Sequence, residues 1–365
     1  MKERPTVMEI DMKALDYNIA KIREKVGNDV DIMPIIKASG YGTYIDTKLD
    51  WMKKNNINIV GVAFADEGAN IRKIGYEKDI FILNQPAIDE IPEIIENNLV
   101  SGVCSEDFIK ELGKQKEEAK VHIEIETGMG RTGVNLDNLE DFIKLIKKYS
   151  NIKVEGIYTH FSVADTDKDY TKLQIETFNK AVQILKESFE NIKYIHASAS
   201  NGILNFKEAH YNLVRPGIIL YGYLPYEGAD IELKPIAKLK SKINFIKSVE
   251  KGASISYGRR FIAESKRIIA TVPIGYADGI KRILTNQASV MIHGKKVKIV
   301  GTICMDGFMC DITDVPDVPD VKVGDDVYIF DNENITLQEI AEKCNTINYE
   351  ILSTISPRVT RKFKN

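Results

Sequence analysis

Eight short apolar runs alternate with helical patterns between residues 12 and 222, and this alternation constrains the fold more than any other feature of the chain. The runs cover residues 31–37, 58–64, 80–83, 101–104, 121–126, 154–160, 194–197 and 213–221. Helical spacing is carried by Leu15, Ile19, Ile22 and Val26 before the first run, and by Leu173, Ile175, Phe178, Val182 and Leu185 before the seventh. Eight strand–helix units over about 200 residues predict an α/β fold of the closed, TIM-like (β/α)8 type rather than an open doubly wound sheet. No GxGxxG motif follows the first run, which weakens the dinucleotide-binding alternative.

A second domain is expected because the 365 residues exceed the roughly 250–300 that one core usually serves. After a loop-like stretch at 225–235, alternating segments typical of strands appear at 236–249, 267–274, 289–300 and 327–330, with a hairpin turn at 293–295. Thr336 and Glu339 match a capping box at the start of a terminal helix. We therefore expect the barrel over residues 12–230 and a mostly β domain over 231–365, with residues 1–11 available to pair with it.

Composition indicates no polyanionic partner, since the net charge is −3 with 28% charged residues. The four cysteines form no CxxC and the five histidines are scattered, so we expect neither a metal site nor a disulfide framework. No signal core and no run of membrane-spanning length is present in the sequence. The expectation is a cytoplasmic protein without a nucleic-acid or membrane partner.

Polar residues stand where the apolar runs end, which in a barrel is the catalytic face. Lys37 ends the first run and a small, Gly-rich turn follows it. Burial there would either leave the charge reaching solvent or lower the lysine pKa and make the amine nucleophilic. The other strand-end candidates are Glu124, Glu126, Arg131, His160, Ser200 and Arg215.

Small residues at 200–202 and 216–218, after the last two runs, can bring backbone amides close to an anion. A lysine facing such a phosphate cradle indicates a phosphorylated carbonyl cofactor held as a Schiff base, namely pyridoxal phosphate (PLP). Taken singly, each position could be purely structural, since a strand-end histidine is often a hydrogen-bonded core residue and Ser-Asn-Gly is often a helix cap. Their joint placement favours the cofactor.

Seven segments of the chain resemble the alanine racemases, fold-type III PLP enzymes with an N-terminal barrel and a C-terminal β domain. They are residues 37–42 (KASGYG), 126–133 (ETGMGRTG), 159–161 (THF), 196–200 (HASAS), 214–218 (VRPGI), 273–279 (PIGYADG) and 304–306 (CMD). The resemblance covers nearly the whole chain. It implies a homodimer in which Lys37 holds PLP and acts as the acid/base on one face of the substrate Cα. Tyr276, from the second domain of the partner subunit, would act on the other face.

The resemblance also implies a cofactor-binding set. Arg215 would face the pyridine nitrogen, and because a guanidinium keeps its proton, that nitrogen would stay unprotonated and the cofactor would be a weaker electron sink, which favours racemisation. His160 and Arg215 would be cationic neighbours that lower the pKa of Tyr276. The phosphate would be held by Tyr41, Ser200, Gly217 and Ile218. Arg131 and the Met305 backbone amide would bind the substrate carboxylate, with Glu124 and Asp306 in support.

Three positions depart from the family pattern. Many relatives carry a carbamylated lysine seven residues before the substrate arginine, where this chain has Glu124. Pro357 stands where a tyrosine usually narrows the alanine pocket, and Thr43 follows Gly42 where histidine is usual. Glu124 is expected to orient Arg131 without bound CO2, and Pro357 to admit a side chain larger than methyl.

The resemblance therefore implies a PLP-dependent alanine racemase, and D-alanine for peptidoglycan is the usual purpose of such an enzyme. A serine or broad-specificity racemase is the main alternative. A PLP-dependent decarboxylase is disfavoured because Tyr276 and Arg215 stand where racemisation needs them. A non-catalytic PLP-binding protein of the single-barrel type is disfavoured by the second domain.

Overall fold

The computed structural model describes residues 4–313 and 321–365, and the chain divides into two compact units. The first, here called the barrel unit, comprises Asp16–Gly40 and Ile45–Lys234. The second, the β unit, comprises Met1–Leu15, Tyr41–Tyr44 and Pro235–Asn365. No helix within the described ranges is long and apolar enough to cross a membrane.

Eight parallel strands form the barrel unit, and their order confirms the predicted (β/α)8 fold. They are β2 (Asp31–Ile32), β3 (Ile59–Val62), β4 (Asp79–Ile82), β5 (Val100–Val103), β6 (Ala119–Glu124), β7 (Ile152–Tyr158), β8 (Tyr194–His196) and β9 (Leu213–Val214). Strands β3 to β8 make one parallel sheet and β2 pairs with β9. Parallel bridges at Ile35–Gly61 and Ala199–Arg215 join the two sheets at both edges, so the ring closes. The run 213–221 is strand only to Val214, because turns follow from Gly217 onward.

Helices connect these strands. They are α1 (Met12–Val26), α2 (Leu49–Lys54), α3 (Ala65–Lys73), α4 (Ile91–Glu96), α5 (Glu106–Leu112), α6 (Leu136–Ile146), α7 (Lys168–Ser188) and α8 (Ser200–Asn205). The two helices predicted from spacing are confirmed as α1 and α7. In α7 the side chains of Ile175, Phe178 and Leu185 are buried, which gives the helix one apolar face against the barrel unit.

The backbone after Lys37 forms a left-handed turn. Ala38, Ser39 and Gly40 have φ values of 53°, 52° and 57° with ψ near 50°, and Tyr41 has φ 53°. A left-handed conformation costs roughly 1–2 kcal/mol for each residue with a Cβ. Gly40 avoids that cost and also fits a tight contact, since a Cβ there would lie 2.8 Å from the Ile45 side chain. The turn is therefore strained and needs support from its surroundings.

Two glycines make room for large side chains between the barrel strands. A Cβ on Gly102 would lie 2.3 Å from the Tyr158 hydroxyl, and one on Gly156 would lie 2.5 Å from the His122 ring. The freed space holds a buried aromatic cluster. The Tyr158 and His196 rings stack with centroids 5.1 Å apart, and the Phe81 and His122 rings with centroids 4.6 Å apart.

The β unit is built on a nine-stranded sheet in the order β11-β14-β17-β16-β15-β18-β10-β1-β19. The strands are β1 (Val7–Asp11), β10 (Ala237–Lys242), β11 (Phe245–Val249), β12 (Ser254–Ile255), β13 (Phe261–Ile262), β14 (Arg267–Val272), β15 (Ser289–Ile292), β16 (Lys295–Val300), β17 (Phe308–Asp311), β18 (Asp326–Phe330) and β19 (Thr360–Lys364). Strands β12 and β13 form a separate pair. All pairings are antiparallel within the described residues except β1 with β19, which is parallel.

The segment predicted at 236–249 is two strands rather than one, because the chain turns between Lys242 and Phe245. The hairpin at 293–295 is confirmed between β15 and β16. Helices α9 (Leu337–Lys343) and α10 (Asn348–Ser353) follow. Thr336 caps α9 by accepting the Glu339 N–H at 3.0 Å. Glu339 itself pairs with lysines, including Lys343, instead of returning to the cap.

Candidate active site

Lys37 lies half-buried at the carboxyl end of the first barrel strand. Ile36 still donates its N–H to Gly61 O at 2.9 Å, and the left-handed turn begins one residue after the lysine. Burial lowers the pKa of Lys37, the charge of Arg131 lowers it further, and the charge of Glu67 opposes both. The neutral amine, which is the nucleophilic and basic form, is therefore more populated than in an exposed lysine.

Arg215 is the most constrained charge in the barrel unit, with 1% of its surface exposed. Its Nη2 donates to Thr159 O and Ala197 O, each at 2.8 Å, and to His160 Nδ1 at 3.2 Å. Burial lowers the pKa of Arg215 to about 10, so the group remains a cation at neutral pH. Its Nε is buried and has no acceptor among the described residues.

His160 is held neutral, which corrects the expectation that it is a second cation beside Arg215. Burial lowers the pKa of His160 to about 3, and the charges of Arg215, Arg131 and Lys37 add to that effect. Because Arg215 can only donate, Nδ1 of His160 accepts and the proton of the neutral ring is on Nε2.

Two further neutral histidines continue the hydrogen bonding from Arg215 into the barrel. Arg215 Nη1 donates to His196 Nδ1 at 2.7 Å, and His196 Nε2 lies 2.9 Å from His122 Nδ1. Burial lowers the pKa of His196 well below its ordinary value and that of His122 to about 3. With Arg215 as the first donor, each ring accepts at Nδ1 and carries its proton on Nε2, so the histidines fix the orientation of the guanidinium without adding charge.

Ser200 and Gly217 are brought together as the sequence predicted for an anion cradle. Ser200 begins α8, is 3% exposed, and accepts the Gly217 N–H at 3.2 Å. The neighbouring Ile218 is fully buried, and its backbone amide makes no backbone hydrogen bond within the described ranges. This pair of strand ends therefore offers one hydroxyl and one free amide at the barrel face.

The turn that carries Arg131 is shaped by Glu126 rather than by Glu124. Glu126 accepts the N–H groups of Gly128 and, at 3.0 Å, of Gly130. Arg131 itself is exposed and forms no ion pair with any described residue. The proposed contact between Glu124 and Arg131 stays a prediction.

Glu124 is a buried carboxyl group, 2% exposed, with Oε2 lacking a hydrogen-bond partner among the described residues. Burial raises its pKa, while the Thr132 and Tyr158 side chains and the charge of Arg131 act in the opposite direction. Burial also raises the pKa of Tyr158 well above its ordinary value, and the Tyr158 hydroxyl donates to Leu83 O at 2.8 Å.

Tyr276 lies in the β unit, on a short turn that its own backbone fixes. Its N–H donates to Cys304 O at 3.0 Å, and the next N–H, of Ala277, donates to Met305 O at 3.0 Å. Gly275 is required for this approach, since a Cβ there would lie 2.3 Å from Cys304 O. Tyr276 and Met305 remain 41% and 53% exposed, so the β unit presents both on one pair of joined loops.

A charged clamp holds that turn from behind. The Asp278 side chain is fully buried, accepts the Gly275 N–H at 3.0 Å, and pairs with Arg4 at 2.8 Å and Arg358 at 3.5 Å. Arg358 also reaches Asp306 at 2.6 Å. Burial alone would raise the pKa of Asp278, but the hydrogen bonds from Arg4 and from the Gly275 amide, with the nearby positive charges, lower it overall.

The remaining predicted residues lie in the β unit. Tyr41 follows the left-handed turn, and its ring centroid is 6.2 Å from that of Tyr349. Burial raises the pKa of Tyr41, so its hydroxyl is a neutral donor. Thr43 is fully buried, while Pro357 is exposed in the turn before β19.

The barrel residues fit a pyridoxal phosphate. A buried arginine Nε without an acceptor suits an unprotonated ring nitrogen, and the Ser200 hydroxyl and Ile218 amide suit a phosphate. Sequence reasoning missed His122 and Glu67. A histidine in the middle of an apolar strand was the available signal for the first, whereas Glu67 reads as an ordinary residue of a helix first turn.

A lysine of lowered pKa and a buried, hydrogen-bonded arginine, both at carboxyl ends of strands in a closed parallel barrel, define a barrel enzyme that acts on a small anionic ligand. The family model described as alanine racemase, N-terminal domain, matches residues 10–225, and that of the C-terminal domain matches residues 236–363. Alanine racemase of Halothermothrix orenii is 38% identical, covering 99% of this chain and 97% of its own length. Alanine racemase of Clostridium novyi is 39% identical, covering 99% and 95%.

Solved structures agree. An alanine racemase of Clostridium difficile 630 superposes with a TM-score of 0.94 at 36% identity, covering 100% of this chain and 97% of that one. The alanine racemase from Bacillus anthracis with bound L-Ala-P has a TM-score of 0.92 at 33% identity, covering 100% and 96%. The chain belongs to the alanine racemase family.

Proposed function

We propose that this chain interconverts L- and D-alanine with pyridoxal 5'-phosphate held on Lys37, using Lys37 and Tyr276 as the two acid/base groups. The observation that carries the proposal is Arg215: a buried cation whose Nη1 and Nη2 make four hydrogen-bond contacts, with an Nε–H that has no acceptor among the described residues. No carboxylate pairs with this guanidinium within the described residues, so its donor is available to a ligand.

The cofactor, when bound, withdraws electrons from the substrate and so acidifies the Cα proton. Arg215 decides how strongly, because its pKa of about 10 keeps the proton on the guanidinium and leaves a facing ring nitrogen unprotonated. A weaker electron sink favours return of the proton to Cα over transamination. His196 and His160 are both neutral. Neither is therefore a cation that could protonate the ring nitrogen in place of the contact from Arg215.

Lys37 would remove or return the Cα proton on one face. Its lowered pKa increases the share of neutral amine that can accept a proton. Tyr276 of the partner subunit would serve the opposite face in a homodimer. Its exposure on a rigid turn supports that role, since the hydroxyl is presented outward while the backbone is fixed.

Substrate binding would fall to Arg131 and to the Met305 amide. Tyr41, Ser200 and Ile218 would bind the phosphate, and Gly217, whose N–H donates to Ser200 Oγ, would orient that hydroxyl. The structure of the Bacillus anthracis relative contains L-Ala-P, and that of a Clostridium difficile relative contains cycloserine. We propose that this chain also binds an alanine-sized ligand. Serine is the second candidate substrate, because Pro357 stands where a tyrosine usually narrows the pocket. We further propose that the enzyme is cytoplasmic and provides D-alanine for peptidoglycan.

The test combines a chiral assay with cofactor trapping. The purified protein should racemise L-alanine faster than any other member of a panel of L-amino acids. Borohydride should fix one pyridoxyl group per chain, on Lys37 alone, as mapped by peptide mass spectrometry. Label on another lysine, or no label after incubation with PLP, would remove the assignment.

A further inference from the structure

Glu67, in the first turn of α3, binds two backbone amides that belong to neighbouring strand ends. Its Oε2 accepts the N–H of Ala63, just after β3, at 2.7 Å. Its Oε1 accepts the N–H of Ala38, the residue that follows Lys37, at 2.6 Å. The first contact resembles ordinary helix capping, but the second crosses to the adjacent βα unit and reaches the start of the left-handed turn.

The two contacts need a carboxylate. Both partners are N–H donors, so each oxygen must accept, and a carboxylate is the side chain that offers two acceptors in one plane. Glutamine would keep one acceptor and present an NH2 group to the other amide. Aspartate keeps both acceptors but is one methylene shorter, so it cannot span the same two strand ends from α3.

The Ala38 contact lies where the backbone is strained. Ala38 and Ser39 hold left-handed φ values although both have a Cβ, and such residues persist only when their surroundings enforce the conformation. The Ala38 amide is the first donor inside that turn. Holding it fixes the peptide that leaves Lys37, and with it the direction of the lysine side chain.

Charge acts in the same place. The groups that act on Lys37 are the cation Arg131, the neutral His160, and Glu67, which raises the pKa of Lys37 against burial and Arg131. Asp46 lies near Glu67 as well, and burial raises its pKa to about 6, but it is not among the charges that shift the pKa of Lys37. Glu67 is thus the carboxylate that offsets the positive field around the amine.

We infer that Glu67 is a positioning residue for Lys37, holding the left-handed turn so that the amine stays at the barrel face. The inference rests on the proposed function of Lys37. Glu67 touches neither substrate nor cofactor in this role and acts through the backbone of Ala38.

The chain supplies a matched control. Glu90 binds two backbone amides in the same manner, with Oε1 accepting from Ala65 at 3.0 Å and Oε2 from Ala87 at 2.8 Å. It belongs to the next βα unit and contacts neither Lys37 nor the left-handed turn. Glu90→Gln therefore reports the general cost of losing such a link.

The experiment compares the unmodified protein with Glu67→Gln, Glu67→Asp and Glu90→Gln, each as the full chain incubated with PLP. The readout is the rate at which borohydride-trapped pyridoxyl label appears on Lys37 over a range of pH, alongside kcat, KM and the melting temperature of the cofactor-free protein. We expect both Glu67 variants to label Lys37 at least tenfold more slowly and to lose kcat more than KM. Glu90→Gln should label at the unmodified rate even if its melting temperature falls equally.

The outcomes separate the two claims. If the unmodified protein labels no Lys37, the proposed function fails. If it labels Lys37 and the Glu67 variants label as fast as Glu90→Gln, this inference alone is overturned. Should Glu67→Gln not fold, Glu67→Asp, which retains the charge, decides: unimpaired labelling contradicts the inference, and slow labelling in a folded variant supports positioning over charge.

Discussion

The turns that carry Lys37 and Tyr276 solve the same task in opposite ways. Both present a candidate base from a short loop, yet charges surround the lysine itself, whereas in the β unit the charges lie two residues away, on Asp278. The Lys37 turn is left-handed and Lys37 is half-buried, whereas the Tyr276 turn is a 3-10 turn in which Asp278 is buried and the Tyr276 side chain is exposed. In the barrel unit the surroundings therefore change the proton affinity of the base, and in the β unit they fix its place.

Removing either candidate base, Lys37 or Tyr276, should give the largest loss of activity. Lys37→Ala and Tyr276→Phe should each lower kcat/KM by about 100- to 10,000-fold, the range for positioned acid/base groups. Lys37→Ala should also lose the cofactor absorbance, and Tyr276→Phe should keep it. Mixing the two inactive proteins under subunit exchange should restore activity, because a mixed homodimer contains one intact site. Either variant mixed with itself is the control, and inactivity despite verified exchange would contradict a shared site.

Glu124 tests whether a barrel carboxylate orients the exposed Arg131. If it does, Glu124→Gln should lower kcat/KM roughly 10- to 150-fold, mainly through KM, since a charge-assisted contact contributes about 1.5–3 kcal/mol. Added bicarbonate should have no effect on the unmodified enzyme. Glu155→Gln, on the exposed side of β7, is the control. An unchanged Glu124→Gln enzyme would leave Glu124 a structural residue of the core, where burial raises its pKa.

Asp278 tests placement in the β unit. Asp278→Asn should lower kcat about tenfold, by loosening the Tyr276 turn, and should cost about 1–3 kcal/mol of stability. The pKa of Asp278 is lowered in the folded protein, so its contribution is present above the unfolded value of about 4 and is lost as pH falls through the folded pKa. Melting curves at pH 7 and pH 3 should therefore differ less in Asp278→Asn than in the unmodified protein. Asp311→Asn, which loosens the Arg267 pair elsewhere in the same unit, should leave kcat intact.

Pro357 should give the smallest effect. If its exposed turn leaves the pocket wide, kcat/KM for L-serine should lie within about tenfold of that for L-alanine, since one small side-chain change shifts discrimination by only ~1–3 kcal/mol. Pro357→Tyr should narrow the enzyme toward alanine. Pro357→Ala separates loss of the ring from gain of the hydroxyl. A strict alanine preference in the unmodified protein would mean that other side chains already fill the space.

The barrel could be predicted because eight short runs rich in apolar residues alternate with segments of helical spacing. Strand β19 could not be predicted, since Thr360–Lys364 is mostly charged and shows no alternation of apolar and polar residues. It is a strand because β1 pairs with it. Strand β17 was missed for a similar reason, as its four residues lie among turns. Strand pairing of this kind depends on partners far away in the sequence.

The candidate site also contains features that the local sequence predicts and features that depend on residues distant in the sequence. The residue types at strand ends were readable, as Lys37, Ser200 and Arg215 show. The charge state of His160 was not, because its neutrality depends on burial and on the three cations around it. The left-handed turn was equally hidden: Gly40 hints at it, but Ala38 and Ser39 adopt it only under the constraint of their neighbours.

The pairing of β1 with β19 sets an order on the synthesis of this chain. Val7 is synthesised more than 350 residues before its partner Thr360. Until Thr360–Lys364 has been synthesised, the edge of β1 opposite β10 is unpaired, and such edges promote association with other chains. The sheet of the β unit is thus completed only after the barrel unit has been synthesised, and we expect this long-range pairing to form more slowly than the pairing of neighbouring strands in the barrel unit.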